Sequence, residues 1–167
     1  MSKKDWPRYM LASVASYFKS IADNLDLPVL VEAVDERTAK FMDGQERVEV
    51  RITGPFIRHY SSNYYRAVMD VNILLTTRHS GTQANAYEMV KNAGVFLEAL
   101  DEPIGIYNFG GEPGDYVEDD ETTQVFLGCL EPKAGKPARL LNFGQIDATD
   151  KISQIEVENA FEIELSE

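Results

Sequence analysis

The chain of 167 residues carries 28 acidic and 16 basic side chains, a formal net charge of −12, which argues against tight binding of nucleic-acid phosphates. Hydrophobic residues make up 44% and aromatics 10%. That composition is globular, and the length suits a single domain spanning the whole chain, 1–167. The lone cysteine, Cys129, rules out an internal disulfide and fits a reducing compartment. No stretch approaches about twenty apolar residues, so no membrane span is expected. Lys3 and Lys4 are not followed by an apolar signal region, and the protein is expected to be made in the cytoplasm.

A first helix is predicted from Trp6 to about Leu25. Asp5 stands at the N-cap position, and Pro7 is tolerated in the first turn, where its missing N–H costs nothing. Leu11, Val14, Phe18, Ile21 and Leu25 repeat at three and four, a stripe suited to lying on a sheet. Pro28 disfavours helical geometry at Leu27 and ends the element. Val29 to Val34 reads as a short apolar strand, and Asp43-Gly44 as a turn.

Arg47 to Thr53 alternates, with Val48, Val50 and Ile52 inward and charges outward. Gly54-Pro55 then marks an edge, a bulge or a bend, beyond which 56–60 can continue the strand. After the turn cluster Ser61-Ser62-Asn63 comes a long strand, Tyr64 to Thr77. Tyr65, Ala67, Met69, Val71, Ile73 and Leu75 share one face of it. It would span roughly 45 Å. Together the two strands form a long projecting β-hairpin, about 47–77. Tyr60, Asn63, Tyr64 and Tyr65 lie at its tip, where clustered tyrosines suit a contact with another subunit or partner.

A second helix is predicted over 84–100. Its stripe is Ala86, Met89, Val90, Ala93, Phe96, Leu97 and Leu100, and Asn85 with Glu88 forms a loose capping box. Ile104 to Phe109 reads as a strand. The glycine, proline and acid-rich stretch that follows, including 112–121, reads as a surface loop. Thr122 to Leu130 is another strand, 131–139 a basic loop, and 140–146 an apolar segment broken by glycine. The last strand, about 152–165, puts Ile155, Val157, Phe161, Ile163 and Leu165 on one face. Glu156, Glu158, Glu162 and Glu164 occupy the other. The fold class is α+β: a mainly antiparallel twisted sheet packed by two helices.

Chemical signatures are sparse. His59 and His79 sit on different arms of the hairpin, without metal-ligand spacing to each other or to Cys129. Cys129 lies in an apolar run and reads as a small buried hydrophobe. The acids of 115–121 lack the spacing of a calcium loop, and Gly110 to Gly114 lacks that of a phosphate loop. No catalytic, cofactor-binding or metal-ligating residue is assigned. The four-glutamate stripe has two readings: an ordinary solvated face, or a negative wall along which DNA slides without sticking.

In order and texture the chain resembles the tail-terminator (tail-completion) proteins of long-tailed bacteriophages. The resemblance rests on the N-terminal amphipathic helix and on Arg47-Val48-Glu49-Val50-Arg51-Ile52-Thr53-Gly54-Pro55. It continues with the strand Val68 to Thr77 running into the helix from Ala84, with Ile104 to Gly110, and with the closing Val157 to Ile163. It implies a structural virion protein rather than an enzyme. Such a protein forms a homo-oligomer, a hexameric ring, that caps the tail-tube protein and stops tube growth. The ring also meets a head-completion or neck protein and lets DNA pass its lumen. A virion location at the tail or neck, assembled in the host cytoplasm, and no cofactor go with that expectation. Two alternatives remain from the residues alone: another tube or neck connector, and a small soluble enzyme built on Cys129 or the acidic loop.

Overall fold

The computed structural model describes residues 5–31, 46–61, 63–78, 83–108, 125–147 and 152–166. The Asp43-Gly44 turn, His79 and the loop 112–121 lie outside them. Helix α1 is Trp6–Asn24. Asp5 occupies the N-cap position without a side-chain cap bond; its backbone oxygen accepts the Tyr9 N–H at 3.1 Å. The buried stripe is Met10, Val14, Phe18 and Ala22, one row over from part of the predicted one, with Leu11 and Ile21 at its margin. The helix stops earlier than Pro28. Asp26 turns left-handed at φ 54°, Leu27 N–H reaches Ala22 O at 2.9 Å, and Asp26 N–H reaches Asp23 O at 3.1 Å. These two bonds close the last turn as a Schellman motif, and Leu27 folds back onto the core.

Strand β1 (Val29–Val31) runs parallel to β2 (Arg47–Ser61), Val29 opposite Val48. Strand β2 pairs antiparallel with β3 (Tyr64–Arg78), from Arg47 opposite Thr76 to Ser61 opposite Tyr64. The Gly54-Pro55 interruption is a bulge, with the register shifting between Thr53 and Phe56. Gly54 is required there: its φ is +108°, and a Cβ would lie 2.8 Å from the Val68 carbonyl oxygen. Past the bulge the parity of β2 inverts, so Phe56 and Arg58 share the face of Arg51 and Thr53.

Helix α2 is Gln83–Ala99. It is already under way at Asn85, so the predicted capping box is not its start, and Glu88 pairs instead with Lys91 at 3.5 Å. Met89, Ala93, Phe96, Ala99 and Leu100 are buried, whereas Val90 is exposed. Strands β4 (Ile104–Asn108), β5 (Val125–Pro132), β6 (Arg139–Asp147) and β7 (Ile152–Ser166) follow. The ambiguous, glycine-broken segment is thus a strand. The sheet order is β1-β2-β3-β7-β5-β4, with β6 also paired to β7. Apart from β1–β2 every pairing is antiparallel. The fold is α+β, with a curled, mostly antiparallel sheet.

Strand β3 and β7 form its axis, in unbroken register from Tyr64 opposite Ser166 to Arg78 opposite Ile152. Both helices lie on one face. Phe18, Phe96, Met69, Ile73, Phe161, Ile155, Ile104 and Leu130 fill the layer between. Two polar side chains lock the layers together. Buried Asn159 donates to Leu100 O at 2.8 Å, while its Oδ1 accepts Ala160 N–H. Ser13 Oγ accepts Tyr107 N–H at 3.0 Å.

Candidate functional site

The face of the sheet opposite the helices is where the sequence placed its charged stripe. The register brings Glu156, Glu158, Glu162 and Glu164 to that one face, beside Leu74, Asn72, Val68 and Arg66 of β3. It is not a bare acidic wall. Arg66 pairs with Glu162, and Asn72 Nδ2 donates to Glu156. Arg139 Nε donates to Glu158 at 2.8 Å. Lys136 lies 3.7 Å from Asp70, and Glu49 lies 3.9 Å from both Arg47 and Arg51. Two of the four stripe glutamates meet cations, Glu162 with Arg66 of β3 and Glu158 with Arg139 of β6, and Glu156 meets the neutral Asn72 amide; sequence reading missed these partners because they are distant in the chain. Glu164 is exposed at the ribbon's end.

The tip holds a mixed outcome. Tyr64 is 57% exposed and Asn63 is exposed; the Tyr60 side chain lies outside the described residues. Tyr65 is a correction: it is only 6% exposed and meets the His59 ring edge-on at 4.1 Å. The cause is β7, which runs alongside β3 to Ser166 and puts Leu165 opposite Tyr65. The expected free arm is therefore backed by a third strand, and Tyr65 belongs to the core. Phe56, turned to the bare face by the bulge, and Ile57, opposite Ala67 on the other face, take its place as exposed apolar residues near the tip.

Two clefts flank β7. One, of about 340 Å³, is polar and lined by Thr53, Asp70, Asn72, Lys136, Arg139 and Glu158. The other, of about 580 Å³, opens where β5 leaves β7, between Trp6, Leu127, Cys129, Glu131, Ile163 and Glu164. Cys129 is half-buried on this cleft rather than sealed in the core. His59 is engaged by the Ser61 carbonyl, 2.9 Å from Nδ1. Among the described residues no group of His, Cys, Asp or Glu is placed to hold a metal ion, and no helix is long and apolar enough to cross a membrane. No protein-family model matches the chain, and no curated protein is similar enough to align with it.

The surfaces the sequence did not flag are apolar. Leu140, Leu141 and Phe143 of β6 are exposed, as are Val125 and Phe126 of β5. The apolar cluster Leu140, Leu141 and Phe143 was the available signal, and its reading as a strand was obscured by Gly144, whose φ of +64° accompanies a register shift there.

Proposed function

We propose that the chain is a ring-forming structural protein of a long-tailed phage virion, a tail terminator. In this reading six copies cap the tail tube, end its growth and meet the head-completion proteins, with DNA passing through the lumen. The observation that carries the reading is the exposed apolar end of a long three-stranded ribbon. Strands β2, β3 and β7 are each 15 residues long, about 50 Å at a strand's rise per residue. The inward face of the ribbon is core from Tyr65 to Leu75 and from Ile155 to Leu165, and its end still carries exposed Phe56, Ile57 and Tyr64. An apolar ribbon end is costly in a monomer and useful in a ring, where each subunit reaches its neighbour.

Tyr60, Asn63 and Tyr64 are the contact residues of that end, joined by Phe56 and Ile57. The face bearing Glu156, Glu158 and Glu162, partly compensated by Arg66 and Arg139, with exposed Glu164, faces the lumen in this assembly. Its mixed charge gives DNA no continuous cationic track to adhere to. The element order, helix, hairpin, helix and closing strand, supports the same reading. The test is an image and a mass of the purified full chain, followed by its addition to polymerising tail-tube protein. Six-fold rings and shortened tubes are expected. A monomer at micromolar concentration that leaves tube length unchanged overturns the proposal, and long stacked rings identify a tube protein instead.

A further inference from the structure

Helix α2 is apolar on two sides. Its inner side, with Met89, Ala93 and Phe96, is buried against the sheet. Along its outer side Tyr87, Val90, Gly94 and Leu97 follow one another at a spacing of three and four, which keeps them in one row. Tyr87 is 72% exposed and Val90 44%. Leu97 is half-buried at the margin of the row. A Cβ placed on Gly94 would find no side chain and no other element within 4 Å. The middle of the row is therefore bare helix backbone facing outward. A solvated helix gains nothing from this pattern, because glycine weakens a helix and exposed tyrosine and valine keep apolar surface in water. A second helix gains from it, because the distance between two packed helices is set by the side chains at their contact.

The charges beside the row say which helix fits. Lys91 and Glu98 both border it, on either side of Gly94 along the axis, and both are exposed. The Lys91 contact with Glu88, at 3.5 Å, joins two well-solvated side chains, and a pair of that kind holds the lysine only weakly. Glu98 has no counter-ion among the described residues. A second α2 crossing antiparallel over Gly94 sets Lys91 against Glu98 of the second copy, and Glu98 against that copy's Lys91. The same crossing lays Val90 against Leu97 of the second copy. A parallel crossing opposes lysine to lysine and glutamate to glutamate instead. The outer face of α2 is thus complementary to itself about a two-fold axis, which is the requirement for an isologous contact. One helix face is a small area, so the pairing is expected to be weak and concentration-dependent.

We infer that the outer face of α2 docks a second copy of this chain, the two helices crossing antiparallel at Gly94. This contact uses none of the residues at the ribbon end and is separate from the ring. The test is sedimentation equilibrium of the full chain from about 1 μM to about 1 mM. It is run at about 0.15 M salt, because the net charge of −12 opposes association when unscreened. The mass should double as concentration rises, from that of the monomer or, where rings form, from that of the ring. Gly94→Leu fills the notch. It should weaken the doubling by about tenfold or more and at the same time raise the urea midpoint, since leucine favours helix over glycine and the position is open. Damage to the fold would lower that midpoint instead. Lys91→Glu and Glu98→Lys should each weaken the doubling, and the two together should restore it. A mass that does not change with concentration overturns the inference. So does doubling that survives Gly94→Leu, and so does failure of the paired charge reversal to restore what each single reversal removes. Doubling without six-fold rings upholds this contact and counts against the ring alone.

Discussion

Phe161 and Glu162 are neighbours in β7 and belong to different regimes. Phe161 is fully buried under the helices, with Phe96, Met69 and Ile155 in the same cluster. Glu162 stands on the bare face, paired with Arg66 in a contact that water still reaches. Burying an aromatic ring removes a large apolar area from water. A partly solvated ion pair contributes little, because charge attraction is offset by desolvation and side-chain ordering. The two faces of one strand thus divide the work: the covered face holds the fold, and the bare face is free to change at small cost. That division lets a surface be specialised for contact without endangering the core.

The sharpest way to break the comparison is truncation on the covered face. Phe161→Ala should lower unfolding free energy by about 3–5 kcal/mol, through lost burial and the cavity left behind. A urea titration measures it, and a loss below 1 kcal/mol, roughly that of a surface change, would place Phe161 outside the core. Asn159→Ala comes next. It leaves the Leu100 carbonyl at the end of α2 without its donor, a loss of about 1–3 kcal/mol. Hydrogen exchange should localise that loss to the last turn of α2, and uniform protection across the helix would show that Asn159 does not close it.

Most of this covered face was readable from the residues. The period of two in 64–77 and 152–165 and the three-and-four spacing of 84–100 report burial directly, because one face of each element meets the core. The misses have physical causes. The stripe of α1 shifted to Met10 and Ala22 because contact with β4 and β2 rotates the helix beyond what its largest residues suggest. The end of α1 was credited to Pro28, although Asp26 and Leu27 close it first through local backbone bonds. The bare face was less legible. Its glutamates could be counted, but their partners Arg66, Asn72 and Arg139 come into place only through strand register. Tyr65 was misplaced because its burial depends on β7, about a hundred positions later in the chain. The cleft left no sequence signal, since it arises where two strands part.

A smaller effect sharpens the bare-face side. Arg66→Ala should cost under about 1 kcal/mol in low salt and less as salt rises. The change belongs in the same titration as Phe161→Ala, so that the two faces are compared on one scale. A loss as large as that of Phe161→Ala would mean that Glu162 is effectively desolvated and that the bare face is structural.

The smallest effect concerns the seam between the helices. The Tyr17 hydroxyl lies 3.5 Å from Ala99 O, a long hydrogen bond, so Tyr17→Phe should cost under about 1 kcal/mol at neutral pH. Burial, and secondarily the Glu102 carboxylate, raise the Tyr17 pKa above its ordinary 10.0. In the unfolded chain the phenol therefore ionises at lower pH than in the folded one. The stability this contributes is fully present below pH 10.0 and is lost as pH climbs through the folded value. Wild type should thus lose stability faster than Tyr17→Phe above pH 10.0, while the two run parallel below it. Because the other titrating groups are common to both proteins, the difference between their urea midpoints isolates this one phenol. Parallel curves throughout would mean that the ring is solvated and that the covered face ends short of the α1–α2 seam.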